Sequence, residues 1–201
     1  MIQISIRTNF ADVIKRLDAL PEKIANKAMV KALNTTIGQA KTNMASQIGK
    51  EFNLKVGAVK DRLTVTPASR KSGELKLQAK LEATKRGNRR SMNLIAFQDG
   101  LLTTKTAKTA GRRNSVGQLG FKIKKSGGRK VITGSFIGNQ GRTVFVRTGK
   151  DRLPIKAVNT IDVPQMFNTR RINQAVQRIM QERFATNFDR ALRDVLREWA
   201  K

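Results

Sequence analysis

The chain has 201 residues, of which 39% are hydrophobic, and this length allows a single domain with a sizeable core. It carries 41 Lys and Arg against 14 Asp and Glu, a formal net charge of +27, so we expect an anionic partner such as nucleic acid or an acidic protein face. Because it has no cysteine, histidine or tyrosine, disulfides, thiol nucleophiles, histidine metal sites and Ser–His–acid triads are excluded. No apolar stretch approaches the length of a membrane span, and we expect no membrane partner.

The first third of the chain is predicted to form a strand followed by helices. Isoleucines alternate with polar residues over residues 2–6, which indicates a short strand with one buried face. Apolar residues at helical spacing predict helices over residues 10–17 and 22–49, and a short helical segment over residues 56–63. The apolar stripe of residues 22–49 consists mostly of small side chains, so we expect this helix to pack closely against a neighbour.

The middle of the chain is predicted to consist mainly of strands. Apolar runs and apolar–polar alternation predict strands over residues 74–82, 92–97, 119–123, 131–137 and 143–147. Residues 119–137 form a hairpin candidate with a basic tip, and the turn is Ser126-Gly127-Gly128. Residues 100–117 are rich in Thr, Lys, Arg and Gly, and we expect them to form a long loop or arm.

The last part of the chain is predicted to be a connector and a long helix. Pro154 and Pro164 bound a stretch that we expect to be extended. Asn168 or Thr169 can then cap a final helix of roughly 45 Å that runs almost to the C-terminus, so its outer half is a candidate interface. With helices at both ends and strands between them, the chain is predicted to be α+β, with N-terminal helices, a small antiparallel sheet with a basic hairpin, and a long C-terminal helix.

The most unusual feature of the sequence is a basic block over residues 85–130. These 46 residues carry thirteen Lys and Arg and one acid, Asp99. We expect a single domain over residues 1–201 with a basic flexible insertion around residues 85–117. The block is interpreted either as a surface that binds DNA phosphates, or as one that docks on acidic protein faces, or as a solvated loop. The candidate contacts are Arg89, Arg90, Arg112, Arg113, Lys124, Lys125, Arg129 and Lys130.

The carboxylates give little support to catalysis. The one enzymatic activity that the residues suggest is that of a metal-dependent nuclease. Asp151 and Lys156 could act in its active site, although no second acid is evident nearby. Asp194 and Glu198 lie one helical turn apart, and surface ion pairing explains them better. We therefore predict that the protein is not an enzyme and has no metal site and no cofactor.

Several segments carry a family resemblance that spans most of the chain. They are GSFI at 134–137, VFVR at 144–147, RLPIK at 152–156 and VPQMF at 163–167, with KALN at 31–34 and KEF at 50–52 in the opening helix. In these segments the chain resembles the minor tail protein Z family of tailed phages and prophages. The matching residues are interpreted as fold determinants, and Leu153-Pro154-Ile155 is expected to be a structural loop packed on the sheet.

The resemblance implies a virion protein at the head-proximal end of a long phage tail, made in the host cytoplasm. Such a protein would complete the tail and join it to the head and neck as part of a ring, with a hexamer as the expected number. The implied partners are further copies of the chain, the tail terminator, the tail tube, the neck or connector proteins, and the phage DNA end.

Two hypotheses follow from the sequence. In the first, the chain is a structural assembly protein whose terminal helix and small-residue helix make subunit contacts. The candidate interface residues are Ile179, Phe188, Leu192 and Trp199. The rival explanation for Ile179 and Phe188 is burial in the core of the monomer. In the second hypothesis, the chain is a sequence-nonspecific nucleic-acid-binding protein that acts through the basic block.

Overall fold

The computed structural model describes residues 3–6, 21–71, 74–83, 91–97, 119–132 and 134–200, and these residues form an α+β fold, as predicted. The helices are α1 (Glu22–Glu51), α2 (Val56–Lys60), α3 (Val163–Phe167) and α4 (Arg170–Trp199), with a 3₁₀ helix at Leu94–Phe97. The strands are β1 (Gln3–Ile6), β2 (Leu63–Thr66), β3 (Ser69–Lys71), β4 (Glu74–Lys76), β5 (Ala79–Ala83), β6 (Met92–Asn93), β7 (Leu119–Phe121), β8 (Lys130–Ile132), β9 (Ser135–Gly138), β10 (Thr143–Arg147), β11 (Ile155–Ala157) and β12 (Asn159–Thr160).

Two long antiparallel helices, α1 and α4, form the body of the fold. Each has 30 residues. Residues near the start of α1 contact the end of α4, since Lys27 bonds to Glu198, and the end of α1 contacts the start of α4, since Glu51 bonds to Arg171. The small residues of α1 let the two helices approach closely. The close neighbour predicted for the small-residue stripe of this helix is therefore α4 of the same chain. Fully buried side chains between the helices and their surroundings include Met29, Leu33, Ile37, Met44, Ile48, Phe184 and Phe188.

A buried polar contact lies at the middle of this helix pair. Asn187 is 5% exposed, and its Nδ2 donates to Thr36 Oγ1 at 2.9 Å and to Gln39 Oε1 at 3.1 Å. The Thr36 hydroxyl in turn donates to the Ala32 carbonyl at 2.8 Å. Because a buried amide is costly without partners, this contact favours one register of α1 against α4.

The first sheet has three antiparallel strands in the order β1–β5–β2. It confirms the predicted N-terminal strand. The helix predicted over residues 56–63 ends earlier, because Leu63 is 2% exposed and pairs with Ala83 as the first residue of β2. The single strand predicted over residues 74–82 is interrupted at Leu77, since β4 pairs with β3 whereas β5 is the central strand of this sheet.

The second sheet is also antiparallel, in the order β11–β10–β9, and β10 has the predicted bounds. The predicted hairpin is present as β7 and β8. The strand predicted over residues 131–137 is divided, because Gly134 has a φ of +72° and β9 then pairs with β10 instead.

The strand predicted over residues 92–97 is wrong beyond its first two residues. Asn93 Oδ1 accepts from the backbone N–H of Ile95 at 3.1 Å and of Val144 at 2.8 Å. The side chain thus takes the place of a ladder partner and turns the backbone into the 3₁₀ helix. Asn93 itself pairs with Asn159 in the β6–β12 ladder.

The connector before the last helix is less extended than predicted. Pro164 lies in the first turn of α3, whose N-cap is Asp162. The Asp162 carboxylate is 2% exposed and accepts from the Val163 N–H at 2.7 Å and from Arg62 at 3.1 Å. Helix α4 then begins after Thr169, as predicted. The helix predicted over residues 10–17 and the basic insertion at 85–117, apart from residues 91–97, lie outside the described residues.

Candidate interaction surfaces

The β7–β8 hairpin is attached to the C-terminal end of α1. The backbone N–H of Asn53 donates to the Ile123 carbonyl at 2.8 Å, and the N–H of Lys125 donates to the Glu51 carbonyl at 2.9 Å. Lys124 Nζ lies 6.0 Å from the centroid of the buried Phe52 ring. These contacts hold the basic turn of the hairpin against the helix end, where the dipole of α1 favours positive charge.

Four of the eight candidate basic residues belong to this hairpin. They are Lys124, Lys125, Arg129 and Lys130, here called the hairpin cations, and all are exposed. No acid occurs between residues 119 and 132. The other four, Arg89, Arg90, Arg112 and Arg113, lie outside the described residues.

The tertiary structure adds helix-end cations that the sequence did not single out. Lys50 and Lys55 are exposed at the end of α1, and Arg170 and Arg171 are exposed at the start of α4. The carboxylate of Glu51 is 17% exposed and bonds to Arg171 at 3.1 Å. The first turn of α4 carries no acid, although the helix dipole would favour one there. We call the four helix-end cations, together with the hairpin cations, the basic end. Binding of an anion would offset the repulsion between these like charges.

The opposite end of the helix pair is different in chemistry. Trp199 is 56% exposed and Leu196 is 41% exposed. Two acids of α4 at this end are paired with α1, since Asp194 bonds to Lys31 at 2.8 Å and Glu198 bonds to Lys27. The hydrogen bond from Lys31 lowers the pKa of Asp194 below its ordinary value. This end, here called the apolar end, therefore presents an aromatic and an aliphatic side chain beside two ion pairs.

The four predicted interface residues do not form one exposed surface. Phe188 is 0% exposed and its ring stacks on Phe184 at 6.5 Å between centroids, so in the folded chain it is a core residue rather than an available interface residue. Leu192 is partly buried against the core, and Ile179 is half-buried. Trp199 alone of the four is exposed. Sequence reasoning missed Leu196, although its position three residues before Trp199 puts both on one helix face.

The residues named for nuclease chemistry are exposed and do not form an acidic cluster. Asp151 and Lys156 lie on the surface near β11. Within the described part of the chain, no group of three or more acidic side chains could hold a metal ion. A cleft of about 480 Å³ lies elsewhere, lined by Arg62, Asp162 and residues of the 3₁₀ helix. The cleft has two carboxylates, Asp61 and Asp162, and that of Asp162 is already engaged as the cap of α3.

The comparisons with known proteins identify the class of protein as a structural component of a phage tail. The family model described as Prophage minor tail protein Z matches residues 10–201, so the chain belongs to the minor tail protein Z family. Comparison with curated proteins and with solved structures gave no match. None of the helices in the described part of the chain combines the length and apolar character needed to cross a bilayer.

Proposed function

We propose that this chain lies at the head-proximal end of the phage tail, where it completes the tail and joins it to the head and neck as part of a ring. The family supports the tail role. The observation that carries the finer proposal is the arrangement of two unlike surfaces at opposite ends of one rigid helix pair. A helix of 30 residues separates them by about 45 Å.

The apolar end provides the contact between copies of the chain. Leu192, Leu196 and Trp199 follow one another at helical spacing on α4, and the last two are exposed in the monomer. Tryptophan is enriched among the residues that dominate protein interfaces. A ring of such contacts, with six copies as the expected number, would bury this stripe.

The basic end faces the anionic neighbour. In a ring it would contact the phage DNA end or the acidic faces of the tail terminator, the tail tube or the neck proteins. The positive charges are held on a braced hairpin and two helix ends, so the surface is formed before the partner arrives.

Native mass spectrometry tests this proposal. The purified protein is measured alone and mixed with the tail terminator and tube proteins of the same phage. We expect a ring or a defined mixed complex, and a monomer indifferent to both proteins would contradict the proposal. Immunogold labelling of assembled tails locates the chain, and labelling away from the head-proximal end would contradict the position.

A charge substitution then tests the apolar end. Leu196→Asp should prevent ring formation without unfolding the chain, because Leu196 is already 41% exposed. Thr186→Asp is the matched control, since Thr186 is exposed on the same helix about 120° around the axis from Leu192. Equal loss of assembly in both variants would show that added charge, rather than the stripe, is responsible.

A second candidate function is sequence-nonspecific binding of nucleic acid through the basic block. The observation that favours it is the basic end, where hairpin and helix-end cations lie around the paired carboxylate of Glu51. Such a surface would bind phosphates, and its affinity would fall steeply with salt. No affinity for DNA even at low salt would exclude this function.

A further inference from the structure

The outer face of the second sheet is apolar and aromatic. Residues directly opposite each other on antiparallel strands share a face, and the face that contains Val144 and Ile137 is buried against the core. Phe145 pairs with Phe136 on the other side of the sheet, and Arg147 pairs there with Ile155. An outward face would ordinarily be polar in an antiparallel sheet, so this composition requires an explanation.

The side chains on this face are packed into a fixed arrangement. The rings of Phe136 and Phe145 stack with centroids 5.9 Å apart, and the Arg147 guanidinium lies 5.1 Å from the centre of the Phe136 ring. A Cβ at Gly138 would lie 3.1 Å from the ring of Phe145, so the glycine makes room for that ring. These side chains of Phe136, Phe145 and Arg147, here called the aromatic platform, therefore have this arrangement already in the free protein.

The loop after β10 projects a leucine beside this platform. Arg147 donates to the Arg152 carbonyl at 2.6 Å, while the N–H and hydroxyl of Thr148 donate to the Pro154 carbonyl at 3.3 and 3.0 Å. In this braced loop Leu153 is 66% exposed, and Ile155, the first residue of β11, is 38% exposed. The expectation that this segment packs on the sheet is therefore wrong for Leu153, whereas Ile155 is paired in the sheet with Arg147.

The charge around Leu153 indicates which kind of partner fits. Residues 147–156 contain four cations and one acid, and all four cations are exposed: Arg147, Lys150, Arg152 and Lys156. A second copy of the chain is a poor match, because it carries +27 overall. In the part of the chain that the structure describes, Glu51, Asp162, Asp194 and Glu198 already form ion pairs within the chain.

We propose that Leu153, flanked by Ile155, is an anchor that inserts into an apolar pocket with an acidic rim on a different protein of the tail. The exposed leucine supplies the apolar contact, and the surrounding cations supply complementary charge. A nucleic acid would use the cations but offers no comparable apolar pocket for the leucine. This inference deepens the proposed function and rests on it, since the partner is a neighbour in the assembled tail.

Site-specific photo-crosslinking in assembling tails tests the anchor. Leu153 is replaced by p-benzoylphenylalanine in the full chain, the tails are purified and irradiated, and the crosslinked product is identified by mass spectrometry. Two further positions serve as controls. Val56, which is 40% exposed on α2, reports on nonspecific crosslinking, and Trp199 reports on contacts between copies in the proposed ring.

The expected result is a crosslink from position 153 to a different tail protein with an acidic surface, together with little product from position 56. A crosslink to another copy, to DNA or to a basic protein would overturn the inference. So would the absence of product from position 153 when position 199 crosslinks. If the chain is missing from purified tails, the proposed function fails and the inference fails with it.

Affinity measurements with the crosslinked partner then test the role of the side chain. Leu153→Ala should weaken binding about tenfold or more, as expected for a central apolar anchor. Val56→Ala, which shortens an exposed aliphatic side chain elsewhere, should leave the affinity unchanged. Equal affinities for the wild type and Leu153→Ala would overturn the anchor role, and unchanged circular dichroism would show that the variant is folded.

Discussion

Replacing Phe188 and Trp199 separately by alanine distinguishes a core residue from an interface residue on the same helix. Phe188 is 0% exposed and stacks on Phe184, whereas Trp199 is 56% exposed at the end of α4. Truncating a buried phenylalanine to alanine costs about 3–5 kcal/mol, because apolar burial is lost and a cavity remains. An exposed side chain away from special contacts contributes within about 0.5 kcal/mol.

These magnitudes translate into separate measurements. For a chain of about this size, 1 kcal/mol corresponds to about 2–4 °C in Tm, so Phe188→Ala should lower Tm by about 10 °C and Trp199→Ala by about 2 °C at most. Far-ultraviolet circular dichroism is the appropriate probe, because Trp199 is the single tryptophan and its fluorescence is lost in that variant. Native mass spectrometry should show loss of assembly for Trp199→Ala at temperatures where it is fully folded.

Two results would refute this reasoning. If Phe188→Ala kept its stability but lost assembly, the phenylalanine would be an interface residue after all. If Trp199→Ala lost as much stability as Phe188→Ala, the tryptophan would contribute to the fold of the monomer.

Three further predictions concern the basic end, the helix pair and the ion pairs at the apolar end. Replacing the four hairpin cations by Gln should reduce the slope of log affinity for duplex DNA against log salt by up to about 3.6, and an unchanged slope would exclude them as phosphate contacts. Asn187→Ala should cost about 1–3 kcal/mol in urea unfolding, because Thr36 and Gln39 lose a buried partner; unaltered stability would contradict a register role for the contact. The lowered pKa of Asp194 means that its pair with Lys31 stabilises the fold above the ordinary carboxyl pKa of 3.8 and ceases to do so as pH falls through the folded-state pKa. The small stability difference between the wild type and Lys31→Gln should therefore disappear in acid unfolding experiments, and a difference that persists at low pH would contradict the pairing.

The long helices were predictable because their signals are local. The apolar positions of α1 and α4 recur at helical spacing, and the bounds found in the structure differ little from those expected. Strand β10 was equally clear. The failures occurred where a long-range contact overrides the local pattern. Leu63 pairs with Ala83 instead of continuing a helix. The side chain of Asn93 accepts from the Val144 N–H of β10, where a strand would offer a backbone carbonyl.

The candidate surfaces were less predictable than the elements that carry them. The sequence identified the hairpin cations from their density, yet Arg170 and Arg171 join them only because α4 packs antiparallel to α1. Periodicity also marked Phe188 and Trp199 as members of the same apolar face. It could not separate them, because burial depends on whether another element covers that part of the helix.

The α+β class, the two long helices, the strong positive charge and the family all follow from the amino-acid sequence, since composition, periodicity and short motifs are properties of the chain alone. Folding is what brings the hairpin and helix-end cations together at one end of the helix pair, leaves Trp199 exposed at the other, and makes Leu153 project from the sheet. Each of these depends on contacts between residues far apart in sequence. Such contacts set burial and charge proximity, and no local pattern records them.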